Sequence, residues 1–330
     1  MNHAIICWGV AIFMGGCFEC RSESIKRGSH EHVMAWGKGA QTRFIFRVVD
    51  TDGVPVENAN VQASFGENWG GWNKGLTDSN GIFAVERVSA GEMIYNVRKQ
   101  NYYDTDGGYK WCGAGEIIIE DGRWLPWGVT NTIILKKIKN PVALFAARGS
   151  YVVPTNGCPI GFDLIVGDWV SPYGKGTQDD LVVYLEEKVS DAYTWHKKLM
   201  ITFGKSTLDG VCIQPKDNYS FFKSSYEAPL NGYSKAEVWE FDRVKESVLI
   251  DTGSSKEDCL IFRIRTETNN SGKVVSAYYG KIYGPVEYGR IGGGKTWLKI
   301  NYYLNPTPND RNLEFDPNKN LFGGRDRFAP

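Results

Sequence analysis

The sequence predicts an all-β chain organised as two β-sandwich domains, and three observations carry that expectation. Between Phe44 and Tyr103 the chain reads as two alternating halves, FIFRVVDTDGVPVENANVQASF and LTDSNGIFAVERVSAGEMIYNVRKQNYY, each containing an acidic-Gly turn. Elsewhere the apolar residues fall in short runs separated by turn residues. The composition sets 38 Gly and 17 Tyr against 5 Met and 4 His. Aromatic and β-branched side chains suit a pleated, half-buried surface, and Gly suits its turns. A chain of 330 residues accommodates two ordinary domains.

Residues 1–17 read as an export signal. Ala4 to Met14 is an apolar run too short to cross a bilayer as a helix. It ends in Met14-Gly15-Gly16-Cys17, small residues before a Cys in the manner of a bacterial lipoprotein cleavage box, so Cys17 is the expected lipidation site. The segment before the apolar run carries no Lys or Arg, and Met14 stands where Leu is usual. Residues 18–41 are polar and without periodicity, and read as a linker. Membrane contact is expected only through this N-terminal anchor. The expected compartment is extracytoplasmic, facing the periplasm or on the outer surface.

The first domain is expected over residues 42–139. Phe44, Phe46 and Val48 share one face of the opening strand while Arg47 points away. Asp50-Thr51-Asp52-Gly53 then turns the chain, with Gly supplying positive φ and Asp capping its own backbone. Val61, Ala63 and Phe65 line the next strand. Asp78-Ser79-Asn80-Gly81 repeats the turn chemistry before Phe83 and Val85, and Gly91 opens the hairpin into Met93, Tyr95 and Val97. Thr130 to Ile138 supplies a closing strand.

Val49, Asp52, Gly53, Pro55, Val56, Asn58, Ala59 and Val61 resemble the carboxypeptidase regulatory-like family. Thr77, Asp78, Asn80, Gly81, Phe83, Gly91, Tyr95, Val97 and Tyr102 continue the match. The resemblance implies a transthyretin/prealbumin-like β-sandwich, a module that accompanies zinc carboxypeptidases. It covers less than a third of the chain. The family pattern is departed from at Glu67 to Gly75, a Trp- and Gly-rich loop, and at Tyr103 to Gly128, which adds Trp111, Trp124 and Trp127.

Lys139-Asn140-Pro141 marks a boundary, because Pro cannot continue a central strand. The second domain, residues 140–304, is expected to be a sandwich or jelly-roll-like body. Its candidate strands are Gly161 to Val166, Leu181 to Lys188, Leu199 to Phe203, Ala236 to Phe241, Cys259 to Thr266, Val274 to Ile282 and Thr296 to Tyr303. A helix is expected only near Ser190 to Lys197. Residues 305–330 read as a Pro/Asn-rich C-terminal tail. On the ending LNPTPNDRNLEFDP the whole chain resembles two-domain bacterial surface proteins of the Verrucomicrobia and Lentisphaerae type, a likeness that implies no function.

The remaining signals argue against an enzyme. Lys plus Arg equal Asp plus Glu at 38 each, which gives no electrostatic footprint for nucleic acid. Zinc peptidase chemistry needs His-x-x-Glu and a distant His, whereas His196 is followed by Lys197, Lys198 and Leu199. Gly289-Arg290-Ile291-Gly292-Gly293-Gly294-Lys295-Thr296 matches a P-loop in form, but an alternating strand pattern follows it rather than a helix. Asp50/Asp52, Asp78/Asn80 and Asp104/Asp106 are spaced for calcium but lack a bidentate Glu, and turn capping is the simpler role. His196 beside Trp195 is the one imidazole for a Ser-His-Asp arrangement in the two domains, and a lone His there is more often packed or exposed. Cys112, Cys158, Cys212 and Cys259 allow one disulfide or buried free thiols. Neither a cofactor nor a metal is expected.

The Trp-bearing loops are the candidate ligand-binding positions: Trp69, Trp72, Trp111, Trp124 and Trp127. Exposed indoles beside Asn and Asp offer flat apolar surface to sugar C–H groups and forked partners to hydroxyls, and they can equally anchor a protein. Against this stands the reading that the loops fold over the sandwich and bury their own indoles. The expected function is an exported, non-catalytic cell-surface binding or structural protein, its partner a glycan or an envelope protein. The alternative is a carbohydrate-binding or accessory protein in polysaccharide use.

Overall fold

The computed structural model describes residues 34–35, 37–66, 71–111, 119–189, 195–217, 219–243, 250–251, 256–291, 295–323 and 330. Residues 1–17, expected to be an export signal ending at Cys17, together with Trp69 and Cys112, lie outside the described residues. The protein is all-β, with four sheets among the described residues. No helix among the described residues is long and apolar enough to cross a membrane.

The first two sheets form one sandwich. In one, β1 (Ala40–Asp50) takes β4 (Ile82–Ser89) antiparallel on one side. On its other side β1 takes β8 (Arg123–Trp124) and β9 (Val129–Leu135) in parallel, and β7 (Ile119–Glu120) pairs with β8. The facing sheet has the order β3 (Trp72–Leu76), β2 (Asn60–Ser64), β5 (Glu92–Arg98) and β6 (Thr105–Lys110). Alternation puts Phe44, Phe46 and Val48 of β1 against Val61 and Ala63 of β2 and Met93, Tyr95 and Val97 of β5, all in one core. The acidic turns form as their residues dictate. Asp50 Oδ1 accepts the N–H groups of Asp52 and Val54 at 2.9 and 3.0 Å, and Asp78 Oδ1 accepts those of Asn80 and Ile82. Gly81 holds φ at +74°, and a Cβ there would strike the Val48 carbonyl.

The other two sheets enclose a second core. One has the order β12 (Asp168–Trp169), β11 (Ile160–Asp163), β13 (Leu181–Val189), β14 (Trp195–Phe203), β16 (Ala236–Arg243) and β17 (Ile250–Asp251). The other runs β10 (Phe145–Val153), β21 (Lys295–Asn305), β19 (Val274–Tyr283), β18 (Asp258–Thr268) and β15 (Gly210–Pro215), with β20 (Glu287–Ile291) also on β21. Phe162, Leu181, Val183, Ile201 and Phe203 meet Leu260, Phe262, Ile264, Leu298 and Ile300 between them. The helix expected near Ser190 to Lys197 is not found at its described end. Residues 195–197 are extended in β14, paired with Val189, Lys188 and Glu187 as one arm of a hairpin.

The sheet built on β18, β19 and β21 is buried on both faces. Leu260 and Phe262 face the sandwich core, while Cys259, Ile261, Tyr279, Tyr283 and Tyr303 face a third cluster with Leu313 and Phe315. That cover includes Phe222, Ala228 and Tyr233 of the 219–234 segment and Leu313 and Phe315 of the 305–323 stretch, so the Pro/Asn-rich stretch packs against the sheet as an integral strap. Glu314 is buried at its centre: Oε1 accepts the Tyr103 hydroxyl and the Lys139 N–H, both at 2.8 Å, and Oε2 accepts the Asn140 N–H at 2.6 Å. The strap and the 219–234 segment also reach the first domain. Lys136 Nζ donates to the Phe222 and Ser224 carbonyls, and the rings of Tyr103 and Phe222 lie 5.1 Å apart.

Candidate functional site

The solvent side of the β3–β2–β5–β6 sheet carries a candidate site. Strand register sets it out in rows. Trp72, Ser64, Ile94 and Gly108 form one row, and Lys74, Gln62, Asn96 and Asp106 form the next. Leu76, Asn60 and Arg98 form a third, which Asp104 extends by an ion pair to Arg98 at 2.8 Å. Since successive side chains alternate across a strand, Tyr95 and Val97 between these positions point into the core.

The second domain completes the site. Asp217 Oδ1 accepts the N–H groups of Tyr219 and Ser220, which turns the chain onto the free edge of β6. There the Asp106 N–H donates to the Tyr219 carbonyl at 2.9 Å, and the Phe221 N–H to the Asp104 carbonyl at 3.0 Å. The Tyr219 ring is left 59% exposed beside the outer face. The resulting groove measures about 680 Å³ and is lined by Trp72, Gln62, Ile94, Asn96, Arg98, Asp106 and Tyr219, among others. A second hollow of about 270 Å³ lies by Tyr219 between β6 and β9, reaching Thr105, Ile133 and Asp217.

Arg98 and Asp104 form an ion pair at the groove, and Asp106 is held by a neutral amide. Asn96 is buried; its Nδ2 donates to Asp106, and its Oδ1 has no partner. Burial raises the Asp104 carboxyl above its usual value, an effect that Arg98 beside it offsets in part. Burial, with Tyr219 nearby, pushes the Tyr95 phenol up to about 12. Among the described residues no group of three or more His, Cys, Asp or Glu is placed to hold a metal ion. This arrangement suits recognition by stacking and hydrogen bonding.

The structure sorts the predicted tryptophans. Trp72 is 50% exposed, on an edge strand rather than in the loop that its Gly-rich setting suggested. Trp111 and Trp124 are core residues, which corrects their expected role as ligand contacts. Trp124 is 0% exposed and its Nε1 donates to the Ser89 carbonyl at 2.8 Å, while the Trp111 ring packs against Phe44, Phe65 and Tyr109. The reason is physical: both indoles join the core cluster of the first sandwich, and an indole buries more apolar area than any other side chain offers. Trp127 is half-buried with the Arg123 guanidinium 5.0 Å over its ring, away from the groove. Tyr219 was missed, since nothing in its local sequence signals docking on a strand edge more than a hundred residues earlier. Asn96, Arg98 and Asp106 were missed as well, although alternation against Tyr95 and Val97 already sets Asn96 and Arg98 on the outer face.

The other motifs also resolve. β20 and β21 form an antiparallel hairpin from Glu287↔Lys299 to Ile291↔Lys295, so Lys295 and Thr296 of the P-loop match open a strand; residues 292–294 lie outside the described residues. Cys158, Cys212 and Cys259 are free thiols. Burial pushes the Cys259 thiol up to about 11.

No protein-family model matches this chain, and no curated protein matches it. Similar solved structures include 3-chlorocatechol 1,2-dioxygenase from Rhodococcus opacus, at 15% identity over 30% of this chain with a TM-score of 0.24; the match spans 60% of the dioxygenase. They also include the shaft pilin SpaA from Lactobacillus rhamnosus, at 10% identity, with 78% of this chain and 93% of the pilin covered and a TM-score of 0.21. The major pilin subunit BcpA of Bacillus cereus matches at 13% identity, with 79% and 95% covered and a TM-score of 0.21. Likenesses this weak carry no argument about function, and the case for one rests on the groove and the sequence.

Proposed function

We propose that this is an exported, non-catalytic cell-surface protein with a binding or structural role, and that it meets its partner with the solvent side of the β3–β2–β5–β6 sheet. The groove carries this reading: exposed rings of Trp72 and Tyr219 border a floor of amide, carboxylate and guanidinium groups. The resemblance of the first domain to the carboxypeptidase regulatory-like family supports an accessory role, because that module accompanies an enzyme without performing its chemistry. The leader supports export, with Cys17 as the lipid attachment point. The partner is a glycan or an envelope protein, and a part in polysaccharide use is the second reading, favoured by the exposed rings.

Sedimentation of the full chain with isolated cell-envelope fragments tests the main reading. Wild-type protein is expected to pellet with them, and a Trp72→Ala/Arg98→Ala variant to stay in the supernatant. Equal pelleting of both would place the contact elsewhere. Mass spectrometry of the membrane fraction is expected to find acylated Cys17; an unmodified, soluble N-terminus would reject the anchor.

A further inference from the structure

The geometry points to a two-domain glycan site: the groove between Trp72 on β3 and Tyr219 of the second domain takes a chain of neutral pyranose sugars. This rests on the binding role proposed above and names its ligand class.

Four observations carry it. First, the hollow is shallow and open, and its 680 Å³ falls within the roughly 300–1,000 Å³ of small-molecule sites. Second, two aromatic rings stand exposed at it, Trp72 at 50%, set by strand pairing in β3, and Tyr219 at 59%, at a bend whose carbonyl accepts the Asp106 N–H of β6. Rings fixed this way offer flat apolar faces to the C–H side of a sugar at little entropic cost. Third, the floor between them sets polar groups beside the exposed Ile94: Gln62, Asn96 and Asp106 stand side by side across β2, β5 and β6. Buried Asn96 donates Nδ2 to Asp106 and leaves Oδ1 without a protein partner, an acceptor that still calls for a hydroxyl or other donor. Fourth, the one cation among the groove-lining residues is already engaged: Arg98 is paired with Asp104, so a uronate or phosphate would compete with that carboxylate and face Asp106, while Lys74 stands at the β3 end of the row, outside the lining. An apolar peptide anchor would meet Ile94 but also the amide and carboxylate groups beside it, at a desolvation cost.

Tyr219 reaches the groove only because residues 219–221 pair with the edge of β6. Recognition therefore depends on the docking of the two domains.

Isothermal titration of the full chain tests this with neutral hexose oligosaccharides, uronate oligosaccharides and a short apolar peptide as probes. Neutral oligosaccharides are expected to bind, with affinity falling at least tenfold in Trp72→Ala and in Tyr219→Ala. Tyr219→Phe keeps the ring and is expected to stay within about threefold of wild type. Melting curves of each variant identify any loss that comes from unfolding, and both rings are exposed enough that none is expected. Neutral-sugar binding that Tyr219→Ala leaves intact would overturn the two-domain site. Binding of uronate or peptide alone would overturn the ligand class. If no neutral sugar binds while envelope fragments are still retained through the same face, this inference falls and the broader proposal stands. If the fragments are not retained either, both fall.

Discussion

Trp124 and Trp72 belong to the same domain and to similar Gly-rich sequence, yet they end on opposite sides of its sandwich. Trp124 is wholly enclosed with its Nε1 bonded to the Ser89 carbonyl, whereas Trp72 sits on the edge strand β3 with half its surface in water. The second domain shows the reverse case. Lys281 is among the most polar side chains available and is 0% exposed, on a sheet face that residues 219–234 and 305–323 cover. Hydrophobicity alone therefore places neither residue. Strand register decides the face, and whatever packs over that face decides whether it stays wet.

The largest expected effect tests the buried half of the contrast. Trp124→Ala should cost about 3–5 kcal/mol, since it removes a large core side chain and orphans the Ser89 carbonyl. Denaturant unfolding measures it, and a loss under 1 kcal/mol would mean that the indole is not part of the core.

Lys281 gives the next effect, with a pH signature. Its Nζ lies 2.6 Å from the Tyr283 hydroxyl and 3.2 Å from Ser224 Oγ. The rings of Phe222, Tyr283 and Tyr303 are 4.6 to 4.8 Å away. The charged and titratable groups nearest it are Cys259 on β18, Tyr283 on its own strand, Tyr303 on β21, Lys136 and Glu314. The ring faces attract a cation, but exclusion of water outweighs them, and burial draws the ammonium down to about 7. In the unfolded chain lysine keeps its ordinary value, about 10.4. From about 7 to about 10.4 the unfolded chain holds a proton that the folded one gives up, so stability rises with pH across that window. The penalty is complete below it. Lys281→Met should therefore gain about 1–4 kcal/mol at pH 7, with the gain shrinking as pH approaches 10. Unfolding titrations of both proteins at pH 7 and at pH 9.5 measure the gap, and a gap that ignores pH would refute the buried neutral amine.

Glu314 tests the junction that brings Tyr219 to the groove. Glu314→Gln turns one acceptor into a donor facing the Asn140 N–H, and about 1–3 kcal/mol should be lost. Tyr219 then docks less firmly, so neutral-sugar affinity should fall with it. Unchanged affinity at reduced stability would separate the strap from the site.

The smallest effect belongs to the exposed half. Trp72→Ala should change unfolding stability by no more than about 0.5 kcal/mol while weakening ligand binding. A loss of several kcal/mol would mean that the exposed ring is structural, and would remove the contrast with Trp124.

Much of the fold was legible because its signals are local. Alternation around Phe44, Phe46 and Val48 predicts β1, Cys259 to Thr266 predicts most of β18, and Asp50 and Asp78 perform the capping that their turns imply. Strands with weak alternation escaped notice. Trp72–Leu76 holds two Gly-flanked polar positions, and Thr105–Lys110 is TDGGYK, so β3 and β6 have little apolar pattern of their own. They are strands because β2 and β5 offer edges to pair with. The candidate site lies on those two strands, and for that reason it was only partly readable.

By itself, the sequence determined an all-β body, its acidic-Gly turns and most of its well-patterned strands. Each depends on residues within a few positions of one another, where steric limits and side-chain periodicity act directly. Only the tertiary structure decided that Trp111 and Trp124 go inside and Trp72 outside, that Lys281 is roofed over, and that Tyr219 stands beside Arg98. Those outcomes depend on pairing between distant segments, and the edge hydrogen bonds from Asp106 to Tyr219 and from Phe221 to Asp104 carry a choice that no local pattern encodes.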